Sequence, residues 1–180
     1  MDMAKNEVDN VGTGIVRFTL GGSAGGALAR AAEVQSADEK KVESIYAVVF
    51  KDTQAGVGAH ETDQDPLYRC VEAKVVPGKG TTPTYEFEVG ESGHFWFCFV
   101  ANPGTDLIQS LQTMQIGTCT TCGFKALLES QAPDTKPMLM ISDFKKVEVT
   151  NKPVTNINTV DLERVMARID IVNQADGVTV

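Results

Sequence analysis

Polar and apolar residues alternate most cleanly from Tyr85 to Val89, with Tyr85, Phe87 and Val89 one way and Glu86 and Glu88 the other. A period of two marks a strand with one face on a core and one in water. Val11 to Leu20 shows the same period over its second half: Val16, Phe18 and Leu20 oppose Ile15, Arg17 and Thr19. Two other stretches lose the alternation because both parities are apolar. One is Val42 to Phe50. The other is His94 to Ala101, where Phe95, Phe97 and Phe99 share one face and Trp96, Cys98 and Val100 the other. A strand buried on both sides is central in its sheet. Leu67 to Val76 reads as a further strand, stopped by Pro77-Gly78-Lys79-Gly80. The period then changes. Leu107, Leu111 and Met114 fit a short helix with Thr105 or Asp106 as N-cap, and Phe124, Leu127 and Leu128 fit a second. Strand material returns at Pro137 to Met140, followed by Val147 and Val149. Val160 to Ile171 fits two templates. Leu162, Val165, Met166 and Ile169 have helical spacing, while the β-branched flanks favour a strand. The pattern predicts a mainly β protein: a sandwich of about seven strands with two short helices inserted.

Between these elements lie two long polar connections. Gly21 to Gly26 is a glycine-rich break, followed by a charged connector reaching to the Val42 strand. Lys51 to Pro66 is a loop rich in acids, glycine and proline signals.

The chain has 180 residues, enough for one domain with a core that needs no staples. With 24 acidic and 16 basic residues the net charge is −8, which argues against nucleic acid as a partner. The two histidines leave little material for metal or general-base chemistry. Composition leans away from an enzyme. There is no apolar run long enough to span a membrane and no signal-peptide pattern at the polar start.

Chemistry-bearing motifs are sparse. Cys119 and Cys122 form a C-x-x-C, a candidate disulfide. Neither a βαβ context for redox work nor a second C-x-x-C for zinc accompanies it, since Cys70 and Cys98 stand alone in strands. His60, in an acidic run, lacks the spacing of a calcium loop. His94 opens a buried strand and reads as a core or capping position. No catalytic residue, cofactor or metal site is assigned. Arg30-Ala31 is different in kind. It follows the first strand and the glycine run, at an exposed small and polar tip of the sort that proteases cut. A cut there would detach a complete strand and leave two unpaired edges, which a strand from another chain can fill. The plainer reading is that Arg30 is an ordinary surface residue.

Taken in order, VESIYAVVFKD, YEFEVGESGHFWFCFVANPG, the two short helices, PMLMISDFKKVEV and NTVDLERVMARIDIVN resemble the Bacteroidales fimbrillins, the type V pilins. The pieces that carry the resemblance are Val100-Ala101-Asn102, Met138 to Ser142, and Leu162-x-Arg164-x-x-Ala167-Arg168-Ile169. The resemblance implies a transthyretin-like Greek-key sandwich and makes Val160 to Ile171 one long strand. It implies an outer-membrane lipoprotein precursor, cut between Arg30 and Ala31 by an Arg-specific protease. The cut would release the strand carrying Ile15, Val16, Phe18 and Leu20, and residues 31–180 would remain as the sandwich. Other pilus subunits would be the partners, through strand complementation in a cell-surface fimbrium, with a host or bacterial receptor beyond it. The second sandwich usual in the family is expected after this chain's end. A competing expectation is a surface adhesin or glycan-binding sandwich that recognises its target through the 51–66 loop or the helices.

Overall fold

The computed structural model describes residues 14–21, 41–54, 64–78, 82–113, 117, 120–129 and 138–165. Ten strands and two helices lie among them: β1 (Ile15–Leu20), β2 (Ile45–Lys51), β3 (Leu67–Glu72), β4 (Lys74–Val76), β5 (Thr84–Glu88), β6 (Gly93–Ala101), α1 (Thr105–Thr113), α2 (Thr121–Glu129), β7 (Met140–Ile141), β8 (Lys145–Val149), β9 (Val154–Val160) and β10 (Glu163–Arg164). Sheet A runs β4-β5-β1-β9, and sheet B runs β10-β7-β6-β2-β3 with β8 also on β6.

The fold is a two-sheet sandwich with a helical layer on one side. β6 explains why. Every residue from Phe95 to Ala101 is buried, on both faces of the strand. Phe95, Phe97 and Phe99 turn to sheet A, where they meet Val16, Phe18, Tyr85 and Phe87. Trp96, Cys98 and Val100 turn the other way, with Val48 and Phe50 of β2, onto Leu107 and Leu111 of α1 and Phe124 and Leu128 of α2. The helices therefore cover the outer face of sheet B. β6 is central as expected: β2 pairs along its whole length on one edge, and β7 and β8 share the other.

Ser142 joins β7 to β8 across a gap in that ladder. Its backbone N–H donates to the Phe99 carbonyl at 2.9 Å, and its hydroxyl accepts the Phe99 N–H at 2.9 Å. A side chain thus replaces one ladder partner, so no buried donor is orphaned.

Several expectations need correction. Ten strands exceed the expected seven or so, because long runs break where the chain changes sheets. Leu67 to Val76 is two strands: β3 pairs β2 in sheet B, and past the buried Ala73, β4 pairs β5 in sheet A. Val160 to Ile171 is not one long strand. Val160 ends β9 in sheet A, and Glu163–Arg164 form β10 against β7 in sheet B, while 166–171 lie outside the described residues. Helix α1 begins at Thr105, with Gly104 accepting from Ile108 N–H at 2.9 Å, so the cap is Gly104 and not the expected Thr105 or Asp106. His94 is exposed, because the first residues of β6 project beyond the core.

Phe18 is the aromatic centre of the sandwich gap. Its ring lies 4.3 Å from Phe99, 5.5 Å from Tyr85 and 6.2 Å from Phe87, centroid to centroid. Replacing Phe18 with Ala should cost about 3–5 kcal/mol of stability. Chemical denaturation checks this, and an unchanged midpoint would remove β1 from the core.

Candidate functional site at the first strand

β1 sits between two strands that come much later in the chain. It pairs antiparallel with β5, from Ile15 opposite Glu88 to Thr19 opposite Thr84. On its other side it pairs parallel with β9, from Ile15 opposite Val154 to Leu20 opposite Val160. Between Arg17 and Thr19, β9 advances from Asn156 to Thr159, one residue more than β1. This bulge carries an inward-facing position from Ile157 to Val160 at a spacing of three.

The released-strand residues named from sequence fall where the alternation put them. Val16 and Phe18 are 0% and 1% exposed, Leu20 packs on the same core, and Ile15 lies on the other parity. Arg17 faces outward, and its Nε donates to Glu86 Oε2 at 2.9 Å. That pair is only partly buried, so solvent screening keeps its contribution to stability small. Arg30 and Ala31 lie outside the described residues.

Sequence reasoning missed the steric limits at both ends of β1. Gly14 has φ of +59°, and a Cβ there would stand 2.8 Å from the Glu91 carbonyl oxygen. Gly21, read as the start of a loose glycine run, instead packs tightly. Its N–H donates to the Val160 carbonyl at 2.9 Å, and a Cβ would collide with Asp161 Oδ1 and reach 2.8 Å from Thr159 Cγ2.

Asn102, the last residue of the Val-Ala-Asn motif, fixes the chain where it enters β2. Its φ of 54° is the left-handed conformation that Asn tolerates better than most residues. Its Oδ1 accepts the Glu43 N–H at 2.8 Å, and its Nδ2 donates to the Lys41 and Met138 carbonyls at 2.8 and 3.1 Å. Its own backbone N–H donates to the Ser44 carbonyl at 2.9 Å. The motif is therefore structural. It clamps the far end of the connector and the approach to β7.

The competing chemical sites do not assemble among the described residues. No group of three metal-ligating side chains is present there, and His60 lies outside them. The base of the 51–66 loop is stitched by its own acids: Asp65 Oδ1 accepts from Thr53 N–H and Oγ at 2.8 Å each, and buried Asp52 meets Lys146 Nζ at 2.7 Å. Cys122 is exposed in the first turn of α2, and Cys119 lies outside the described residues. Val48 pairs with both Cys70 and Cys98 from opposite sides, so these two are about two strand spacings apart, roughly 9.5 Å, too far for a disulfide. Burial pushes the Cys98 thiol up to about 12 and the Cys70 thiol up to about 11. No described helix is long and apolar enough to cross a membrane.

No protein-family model matches the sequence, and no curated protein matches it. Solved structures do resemble it in fold. A fimbrial assembly protein from Parabacteroides distasonis aligns with a TM-score of 0.45 at 9% identity, over 83% of this chain and 52% of that one. The tip fimbrial protein Mfa3 from Porphyromonas gingivalis, with a C-terminal truncation, aligns with a TM-score of 0.43 at 16% identity, over 84% of this chain and 48% of that one. This chain spans about half the length of each.

Two predictions follow from this geometry. Asn102→Ala removes three side-chain hydrogen bonds and strains the left-handed turn, so it should cost about 2–4 kcal/mol. Asn102→Gly, which keeps the turn, should fall between Ala and the parent in urea unfolding. The thiols give the second. At pH 8 a haloacetamide should modify Cys122 first and leave Cys98 intact until denaturant is added, as peptide mapping would show. Because the folded chain holds these two protons above the ordinary value of 9.0, unfolding releases them, and stability should fall as pH rises from about 9 towards 12.

Proposed function

We propose that the chain is a structural, non-enzymatic subunit of a bacterial cell-surface fimbrium, one that assembles by proteolysis-triggered strand exchange and supports adhesion. The observation behind this reading is the place of β1. It is the first described strand and lies inside sheet A, yet both of its hydrogen-bonded neighbours are distant in sequence. No hairpin ties it to β2. Its covalent link to the rest is the 22–40 connector, which carries Arg30 and Ala31.

The physics of exchange follows. Each fully buried inward side chain of β1 is worth about 1.5–3 kcal/mol, and each ladder hydrogen bond a net 0.5–1.5 kcal/mol. A strand of equal quality from another subunit recovers the same amount. While the connector is whole, tethering gives β1 an effective concentration in the roughly millimolar range, and an outside strand loses the competition. A cut between Arg30 and Ala31 by an Arg-specific protease removes that advantage. The released piece is 1–30, with Ile15, Val16, Phe18 and Leu20 as its strand residues, and 31–180 stays as the sandwich. Asn102 clamps Lys41 and Glu43 without involving β1, so this end of β2 stays anchored by contacts outside the first strand.

In this reading the sandwich has the transthyretin-like Greek-key arrangement. The precursor is an outer-membrane lipoprotein, the partners are other pilus subunits, and the assembled fibre meets a host or bacterial receptor. Limited digestion of the folded chain with an Arg-specific protease, read by intact mass, tests it. The expected result is one early cut after Arg30 that leaves a folded 31–180 product able to capture an added strand peptide. Resistance at Arg30, or a cut product indifferent to any strand, would count against exchange.

A further inference from the structure

Resting on the strand-exchange reading, we propose that the groove between β5 and β9 selects its occupant by size at its two ends. The strand it accepts is an extended segment of another polypeptide with glycine at the position of Gly14 and again at that of Gly21. Between them it carries an aliphatic, an aromatic and a second aliphatic residue at the positions of Val16, Phe18 and Leu20.

The two ends differ in stiffness. At position 14 the obstacle is backbone: the Glu91 carbonyl lies 2.8 Å from any Cβ, and Val149 Cγ1 lies 3.1 Å away. The φ of +59° adds a second penalty for any side chain. This end cannot yield without moving the turn between β5 and β6. At position 21 the obstacles are side-chain atoms, Asp161 Oδ1 and Thr159 Cγ2, and no backbone atom. They stand on a backbone held by Lys145 Nζ, which donates to the Thr159 carbonyl at 2.6 Å, and by the Gly21–Val160 hydrogen bond. The first glycine is therefore the strict one and the second the tolerant one.

Between the ends, the inward pockets set composition. The middle position lies 4.3 Å from the Phe99 ring and is flanked by Tyr85 and Phe87, so it takes a ring. The β9 bulge fixes register, because the spacing opposite the occupant changes between Arg17 and Thr19. A strand slipped by one residue would turn its apolar set outward and bring a side chain against Glu91. Glycine at both ends, seven positions apart, excludes both errors.

The test uses the full chain. Gly14→Val and Gly21→Val are made separately, with Thr19→Val as a control on the same strand. The melting temperature should fall most for Gly14→Val, less for Gly21→Val and little for Thr19→Val. The full chain carrying Phe18→Asp, which cannot seat its own β1, is then refolded with a synthetic peptide of residues 14–21. The unsubstituted peptide should restore a cooperative transition. The peptide with valine at position 14 should bind at least roughly tenfold more weakly, and valine at position 21 should have the smaller effect. Equal binding of all peptides would overturn end-gating and leave strand exchange standing. If no peptide restores folding, strand exchange itself fails. A melting temperature unchanged by Gly14→Val would overturn the gate whatever the peptides do.

Discussion

A strand apolar on both faces dictates this structure. Phe95, Phe97 and Phe99 cannot be left in water, and neither can Trp96, Cys98 and Val100, so β6 requires a cover on each side. On one side the cover is two short helices, which present Leu107, Leu111, Phe124 and Leu128. On the other it is sheet A, and the part of sheet A lying over Phe99 is β1, through Phe18. The strand whose removal is proposed as the trigger for assembly is thus also the lid on the largest aromatic cluster in the molecule. Taking β1 away exposes rings that water does not tolerate. In the proposed exchange, that exposure would be what favours the binding of another strand.

Much of this was legible in the sequence. The two faces of β6 were assigned residue by residue, as were the inward set Val16, Phe18 and Leu20 and the outward acids of β5, because alternation is a local property and survives any topology. Leu107 and Leu111 of α1 and Phe124, Leu127 and Leu128 of α2 were legible from their helical spacing, while Met114 lies outside the described residues. What escaped were features set by distant neighbours. Leu67 to Val76 looks continuous, since nothing in its alternation announces that Ala73 is a corner between sheets. The Val160 stretch looks like one element because the bulge at 156–159 shifts the inward parity just before it. Gly21 reads as a loose linker from composition, and only the approach of Thr159 and Asp161 reveals it as a packing position. The signal that could have found Gly14 is its place directly before an alternating strand, where an isolated glycine often marks a close backbone approach.

Two of the three motifs that carried the family resemblance have local physical explanations. Asn102 serves as a left-handed residue whose amide makes three backbone bonds, and Ser142 repairs a ladder gap opposite Phe99. Both work at the edges of β6 or at its end, and neither touches β1. They keep sheet B and the entry to β2 in place by interactions that do not depend on the first strand.

That independence extends to the groove. Each strand of sheet A other than β1 continues into sheet B through a short connection: β4 from β3 through Ala73, β5 into β6 through residues 89–92, and β9 both from β8 through 150–153 and into β10 through Asp161 and Leu162. β5 and β9 are therefore tied to sheet B by covalent corners as well as to the strand between them by ladder hydrogen bonds. If β1 leaves, these corners oppose the closing of β5 onto β9, which would otherwise seal the two free edges. In the strand-exchange reading the gap would stay about one strand wide, with Glu91 and Asp161 at its ends. A sandwich whose two sheets were joined only by long loops would collapse across such a gap. In the strand-exchange reading, the corners that broke the long runs of the sequence into short strands would be what keeps an emptied site open.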